Sequence, residues 1–305
     1  MAENKIKISI IIPTYNHKNR FANLRRLLLA LKNQAAKNIN SEIIIVDNGC
    51  SLEICERRSI SQLLSADKDF RIVKEPRIGL SNARNRGILS SSGEIIAFLD
   101  DDIIPSREWL ASLISAYKFS SVLCVGGPVI TKNNNLSLPK WFSNYFLRFL
   151  IPPKFPRKFG IMAPPFYLIG ANMSFKRIVF REYGLFDLSL GRKGDCLLSG
   201  EDTEFISRLN PADVYFEPAA VVFTEIKPGR LSRKFFAKRI FWQAVSESRI
   251  ARKHGLIKLY DKHELFFSKE FIEKFLKLLK DRSFFQAFCI LVRIITFRLA
   301  LLLRL

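Results

Sequence analysis

Three groups of polar residues in this chain have the types and spacing for chemistry. Asp100, Asp101 and Asp102 follow the apolar run Ile95–Leu99 without a break. Alternate residues on an extended chain point the same way, so Asp100 and Asp102 can share a direction. Adjacent carboxylates repel unless a cation or hydrogen-bond donors compensate. Hard oxygen ligands suit Mg²⁺ or Mn²⁺, ions that bridge carboxylate and phosphate. A solvated acidic turn capping a helix at Ser106 is an equal reading of the triplet alone. The second group is GLSNARNRG, Gly79–Gly87. Its Arg84 and Arg86 suit bidentate pairing with phosphate, and a helix start near Ser81 would add backbone N–H donors. A capped surface helix with solvated arginines competes. The third group is GEDTE, Gly200–Glu204. A carboxylate there can act as general base toward a hydroxyl, although acid at a helix start also follows from the helix dipole.

The elements that must position these groups are legible as periodicity. Ile6–Ile12 is an apolar strand ending at Pro13. Arg20–Asn33 places Phe21, Leu24, Leu27, Leu28 and Leu31 at helical spacing. Glu42–Val46 is a second strand, Phe70–Val73 a third and Glu94–Leu99 a fourth, with a helix over Ser81–Ser90 and another from Pro105 and Ser106 through Tyr117. Uninterrupted apolar strands separated by helices predict a parallel sheet covered on both faces. In open α/β sheets ligands bind beyond the carboxyl ends of the strands. There the chain puts Pro13, Thr14, Tyr15 and Asn16, then Asp47, Asn48 and Gly49, then the Asp triplet. After Val122–Val125 the pattern loosens. Residues 139–165 read as a long, partly irregular excursion, of the kind that is functional or mobile. Regular elements return over residues 169–222, and everything beyond Lys227 reads helical.

A length of 305 residues, 48% hydrophobic and 25% charged, excludes collagen-like, low-complexity and wholly disordered chains. It allows one large domain or two modest ones. The net charge of +21 points to nucleic acid, an anionic membrane face or phosphate-bearing substrates. From Lys227 onward there are 19 Lys+Arg against 6 Asp+Glu, a net of +13. Basic residues interleaved with Phe, Leu and Ile suit a cytoplasmic leaflet; a solvated basic face is the plainer reading. Ser283–Leu305 is long enough to span a bilayer, but Arg293 and Arg298 interrupt it, which favours an interfacial or protein-packed helix. The N-terminal apolar run Ile8–Ile12 is too short for a signal peptide. Five scattered cysteines without a CxxC pair, and three histidines, argue against zinc or a disulfide framework and fit a cytoplasmic protein. There is no GxGxxG after the first strand, no GxxxxGK[ST] and no GxSxG.

Taken in order, IIPTYN (11–16), IIVDNG (44–49), GLSNARNRG (79–87), FLDDD (98–102), GANMSF (170–175), GLFD (184–187) and GEDTEF (200–205) resemble the family-2 glycosyltransferases. The resemblance covers residues 6–225. It implies a GT-A fold, a mainly parallel α/β sheet flanked by helices, as a catalytic domain over 1–225, with a basic helical extension over 226–305. It further implies inverting transfer of a sugar from a nucleotide-sugar to an acceptor hydroxyl. By similarity Thr14, Asn16, Asp47 and Arg84 line the nucleotide pocket. Pro13, Tyr15, Asn48, Gly79, Asn82, Asp101 and Asn172, in the same motifs, fall on the substrate side. Asp100 meets the ribose or base, and Asp102 ligates a divalent metal, Mn²⁺ or Mg²⁺, on the diphosphate. Asp202 is the base, with Glu201 the alternative.

One departure stands out. Where relatives with a similar tail carry a histidine after the last strand, this chain has Thr224. That keeps open a catalytically weak or inactive member acting as an assembly subunit. Many family members act on polyprenyl-phosphate carriers, so a lipid-linked acceptor and an anionic membrane surface are the expected partners. Trp141, Phe142, Tyr145, Phe146, Phe149 and Leu150, followed by Lys154, Arg157 and Lys158, form either an acceptor-side membrane loop or internal packing. Nucleic acid is not an expected partner, because no recognisable motif appears and acidic strand ends repel phosphate. A sugar nucleotidyltransferase lacks support for want of a Gly-rich, Arg-containing N-terminal phosphate loop.

Overall fold

A computed structural model describes residues 6–15, 20–34, 39–50, 52–64, 69–132, 137–147, 149–150, 155–162, 168–255 and 269–303. The chain divides into two compact units. One comprises Met1–Lys132, Pro152–Ser189 and Glu201–Glu225; the other comprises Asn133–Ile151, Leu190–Gly200 and Ile226–Leu305.

The first unit is α/β. Its described strands are β1 (Ile8–Thr14), β2 (Ser41–Asn48), β3 (Asp69–Glu75), β4 (Ile95–Leu99), β5 (Ile104–Pro105), β6 (Cys124–Gly126), β7 (Val129–Thr131), β8 (Gly160–Ile161), β9 (Asn172–Lys176), β10 (Val214–Phe216) and β11 (Val222–Thr224). Eight form one sheet in the order β3-β2-β1-β4-β9-β6-β10-β8, and β5-β11-β7 form a second. Helices α1 (Phe21–Lys32), α2 (Ile54–Leu64), α3 (Leu80–Ser90), α4 (Trp109–Ala116), α6 (Arg177–Glu182) and α7 (Glu201–Ile206) belong to this unit. Strand β1 is buried along its whole length, as an apolar run covered on both faces requires. Leu24, Leu27, Leu28 and Leu31 of α1 pack on one face of the sheet, with Ile8, Ile10 and Ile12. Each such leucine contributes roughly 1.5–3 kcal/mol. On the other face Phe98, Phe175, Phe180, Phe186 and Phe205 meet edge-on or tilted, apart from the stacked pair Phe180–Phe205.

The register fixes what reaches the edge at the carboxyl ends of β1, β2 and β4. Strands β1 and β2 are parallel, and Thr14 stands opposite Asp47. Strand β4 is parallel to β1, with Phe98 opposite Ile11. Strand β9 is antiparallel to β4, so its first residue, Asn172, pairs with the last, Leu99. The sheet is therefore mainly rather than wholly parallel, and this reversal brings Asn172 to the edge where β4 delivers the Asp triplet. The periodicity reading did not anticipate the three-stranded sheet, whose strands are two or three residues long.

The second unit holds α5 (Asn144–Leu147), α8 (Arg233–Lys253), α9 (Lys269–Lys280) and α10 (Phe284–Leu302). Ser232 caps α8, its hydroxyl accepting from the Phe235 N–H at 3.2 Å. Helices α8 and α10 pack along one another. Phe146, fully buried, meets Trp141, Phe236 and Phe285 at 5.4, 5.0 and 5.5 Å between ring centroids. Of the two readings of the aromatic segment, internal packing is the one found for Trp141, Phe142, Tyr145, Phe146, Phe149 and Leu150. Lys154 lies outside the described residues, and Arg157 and Lys158 are exposed.

Candidate active site

The strand ends bring the sequence-predicted residues to one edge. Thr14 Oγ1 donates to Asp101 Oδ2 at 2.9 Å, and Arg20 Nη1 reaches Asp101 Oδ1 at 3.4 Å. Asp101 is buried, and burial pushes its carboxyl up to about 6, with Arg20 pulling the other way. Asp100 points instead to Arg84, whose Nη2 donates to its Oδ1 at 3.4 Å. Asp102 is half-buried. Asp100 and Asp101 thus face different partners, and they do so across a turn at Asp101–Asp102, closed by the Ile103 N–H on the Asp100 carbonyl at 3.4 Å, rather than along the extended chain that the sequence reading assumed.

On the next strand Asp47 is fully buried. Its Oδ1 accepts from the Leu52 N–H at 3.1 Å, and its Oδ2 pairs with Arg57. Asn48 fastens β2 to the start of α3. Its amide donates to the carbonyls of Glu75 and Arg77, and its Oδ1 accepts from the Gly79 N–H at 2.8 Å. Gly79 has φ 151, a left-handed-side value that favours glycine. Asn82, nearly buried, donates back to the Ile78 carbonyl at 3.4 Å. Pro13 is buried in β1, and the half-buried Tyr15 ring lies against Gly49. Asn16 lies outside the described residues.

Arg84 is the centre of the arrangement. It is 1% exposed. Nη1 donates to Glu201 Oε1 at 2.7 Å, and Nη2 donates to the Gly170 carbonyl at 3.0 Å as well as to Asp100. The guanidinium lies over the rings of Phe186 and Phe98, at 5.6 and 5.9 Å from their centroids. Burial works against its charge, but Glu201, Asp100 and Asp202 outweigh that and hold its pKa above the ordinary arginine value. Glu201 is pushed up by burial and by Asp202, with Arg84 opposing.

Asp202 is the more open of the two adjacent carboxylates. Its Oδ2 accepts from the Gly170 N–H and its Oδ1 from the Thr203 N–H, both at 2.8 Å. A Cβ on Gly170 would lie 2.8 Å from both Arg84 Nη2 and Asp202 Oδ2, so the close approach needs glycine. Asn172 is buried and fully engaged: Trp109 Nε1 donates to its Oδ1 at 2.9 Å, and its Nδ2 donates to the carbonyls of Pro128 and Ala220. It joins the large sheet to the turn before β11. Thr224 closes β11, opposite Thr131.

Gly170, Arg20, Arg57 and Trp109 were not among the expected site residues. Gly170 was within reach, inside GANMSF. The others carry no local signal: Arg20 and Trp109 act through partners 81 and 63 residues away, and Arg57 reaches back from the next helix to Asp47. What the arrangement can do is hold carboxylates from two distant segments around one permanently charged, desolvated guanidinium, with a carboxylate oriented by two amides beside it.

Residues 9–184 match the glycosyl transferase family 2. Glycosyltransferase AglE of Haloferax volcanii is 34% identical over 125 residues, covering 40% of this chain and 39% of that protein. Glucosyl-dolichyl phosphate glucuronosyltransferase of the same organism is 24% identical over 258 residues, 79% of this chain and 76% of that protein. Among solved structures, the mannosyltransferase PcManGT from Pyrobaculum calidifontis, in complex with GDP-Man and Mn²⁺, superposes with a TM-score of 0.59 over 97% of this chain and 75% of that one, at 16% identity. The strand order, the polar edge and the family match together establish that this chain belongs to glycosyl transferase family 2, on the GT-A fold.

Proposed function

We propose that the chain moves a sugar from a nucleotide-sugar donor to an acceptor hydroxyl with inversion at the anomeric carbon. The acceptor is a lipid-linked glycan at the cytoplasmic face of a membrane, in polysaccharide or glycolipid synthesis. The observation that carries this reading is the buried Arg84, which ties Asp100 at the end of β4 to Glu201 beside Asp202. The glucuronosyltransferase whose name specifies a dolichyl phosphate-linked sugar supports the acceptor class. The neighbour solved with GDP-Man and Mn²⁺ supports the donor class and a divalent ion.

The residues fit such an ion. Asp102 is a half-buried hard-oxygen ligand, and no group of three or more His, Cys, Asp or Glu forms a cage among the described residues. Mg²⁺ and Mn²⁺ commonly take one or two carboxylates and complete their shells with water and substrate phosphate. When bound, the ion stabilises negative charge on the departing diphosphate.

Asp202 acts as base. Each of its oxygens accepts one amide hydrogen, which fixes the carboxylate plane and leaves a lone pair. The acceptor oxygen forms a bond to the anomeric carbon. The bond from that carbon to the donor phosphate oxygen breaks, and its electron pair leaves with the nucleoside diphosphate. The hydroxyl proton passes to Asp202. Glu201 serves instead as the positioning partner of Arg84.

The test is thermal stability against UDP-, GDP- and dTDP-sugars, each with and without Mn²⁺. A donor at 100 times its Kd adds about 2.7 kcal/mol to the native state. A metal-dependent shift with one nucleotide class is the expected result. A folded chain without any shift would favour the assembly-subunit reading, to which Thr224 in place of histidine already gives a physical basis.

A further inference from the structure

We propose that one face of α10 lies in the plane of an anionic membrane surface, so that the helix neither crosses the bilayer nor packs on all sides. The inference deepens the lipid-linked acceptor reading and rests on it for its purpose. By length and composition α10 would suffice to cross a membrane. Its two faces say otherwise. Phe284, Phe288, Ile295, Leu299 and Leu302 are between 48% and 79% exposed. At about 100° per residue they fall within an arc of about 60°. Ala287, Cys289, Ile294, Phe297 and Ala300 are buried on the other side. There the helix packs against α8, and Arg293 pairs twice with Glu247 of α8, at 3.1 and 3.2 Å. Crossing the bilayer would strip this packed face and carry an ion pair into hydrocarbon. An in-plane helix keeps it and buries only the stripe.

The surroundings select the occupant. Immediately before α10, Lys277, Lys280 and Arg282 are exposed together with one carboxylate, Asp281, a local surplus of positive charge. Helix α9, which packs on α10, adds exposed Leu276 and Leu279. The region from Lys227 onward carries a net +13. A second copy would bring the same charge against itself, whereas anionic headgroups complement it. Apolar side chains flanked by lysine and arginine match the acyl–headgroup boundary.

The experiment is co-sedimentation of the full chain with vesicles of phosphatidylcholine alone or mixed with phosphatidylglycerol, without sugar nucleotide. Its failure is therefore separable from failure of the transferase reading. The expected result is binding to the mixed vesicles, weakened by added salt. The double variant Phe288→Glu/Leu299→Glu should weaken it at least about tenfold. The matched variant Leu89→Glu/Leu188→Glu, which adds the same charge at exposed leucines of the other unit, should bind like the parent apart from a small charge effect. Circular dichroism checks folding, and Ile295→Gln replaces the double variant if that one misfolds. Absence of binding by the parent, or equal binding by the stripe variant, overturns the proposal. So does a stripe variant that changes the monomer–dimer balance but not vesicle binding, which would make the face a protein interface. Tryptophan placed at Phe284, Ile295 or Leu302 should be quenched at one shallow depth by brominated lipid. Deep quenching at Ile295 with the two ends at opposite faces would mean a spanning helix.

Discussion

The Gly170 amide donates to Asp202 Oδ2 at 2.8 Å, while the Gly170 carbonyl accepts from Arg84 Nη2 at 3.0 Å. One peptide segment thus holds the proposed base and the buried cation at once. It sets the distance between a negative group that must take a proton and a positive group that must never lose one.

Asp202→Asn should lower transfer by about 10²–10⁴-fold, the usual contribution of a positioned acid or base. Donor-induced thermal shift should persist, since the amide keeps one of the two acceptor oxygens and its loss of the other falls at the base rather than at the strand ends proposed to hold the donor. Single-turnover transfer on a bound donor reads the effect. Near-normal transfer in this variant would remove Asp202 from the proton path.

Glu201→Gln leaves the Arg84 charge buried with one partner fewer. Removing one partner of a buried pair costs about 3–5 kcal/mol. Urea unfolding should show that loss, against a much smaller loss for Asp202→Asn. Comparable losses in both would mean that Glu201 does not hold Arg84 in the way the 2.7 Å contact implies.

Gly170→Ala should reduce turnover more than stability, because the new methyl meets Arg84 Nη2 and Asp202 Oδ2 at 2.8 Å rather than an apolar core. The readout is kcat set beside Tm. A variant with parental kcat would show that the segment yields without disturbing the carboxylate.

Asp102→Ala should abolish the Mn²⁺ dependence of the donor shift while leaving the fold intact. Titration of Mn²⁺ against donor-induced Tm checks this. Retained dependence would move the ligand elsewhere on the edge.

Glu42 provides a pH test away from the site. Burial raises its pKa, but Ser9, the Ser92 N–H and hydroxyl, and Arg71 outweigh that and lower it from 4.5 to about 2. A depressed carboxyl contributes stability that is present above pH 4.5 and lost as pH falls toward 2. The difference corresponds to about 3 kcal/mol. Glu42→Gln should be less stable than the parent by that order at pH 7, and the gap should shrink at pH 3. A gap independent of pH would mean that hydrogen-bond geometry, not charge, sets the Glu42 contribution.

Much of the frame was legible because burial on both faces leaves apolar runs that stop at polar residues, as Ile8–Ile12 stops before Thr14 and Ile95–Leu99 before Asp100. The reversed strand β9 was not legible as reversed, since a buried run such as NMSFK carries no mark of direction. The strands β5, β7 and β11 are too short for any period to show. Arg84 reads as a phosphate-binding residue on a helix, and nothing local tells that it sits under three acidic partners, one of them 117 residues away. Asn172 was placed by its motif, while its clasp on Trp109 and Ala220 depends on the two sheets meeting.

The spread of Arg84's partners along the chain also decides how much of the chain the site needs. Its contacts close over 16, 86 and 117 residues, to Asp100, Gly170 and Glu201. Each is a loop whose closure entropy must be met before the contact rewards it. A nascent chain that has emerged only as far as β9 already has the polar ends of β1, β2 and β4, but its guanidinium lacks Glu201. The site therefore depends on the last segment of the first unit: a chain stopped short of residue 201 lacks β10, β11 and the Glu201 carboxylate that balances Arg84.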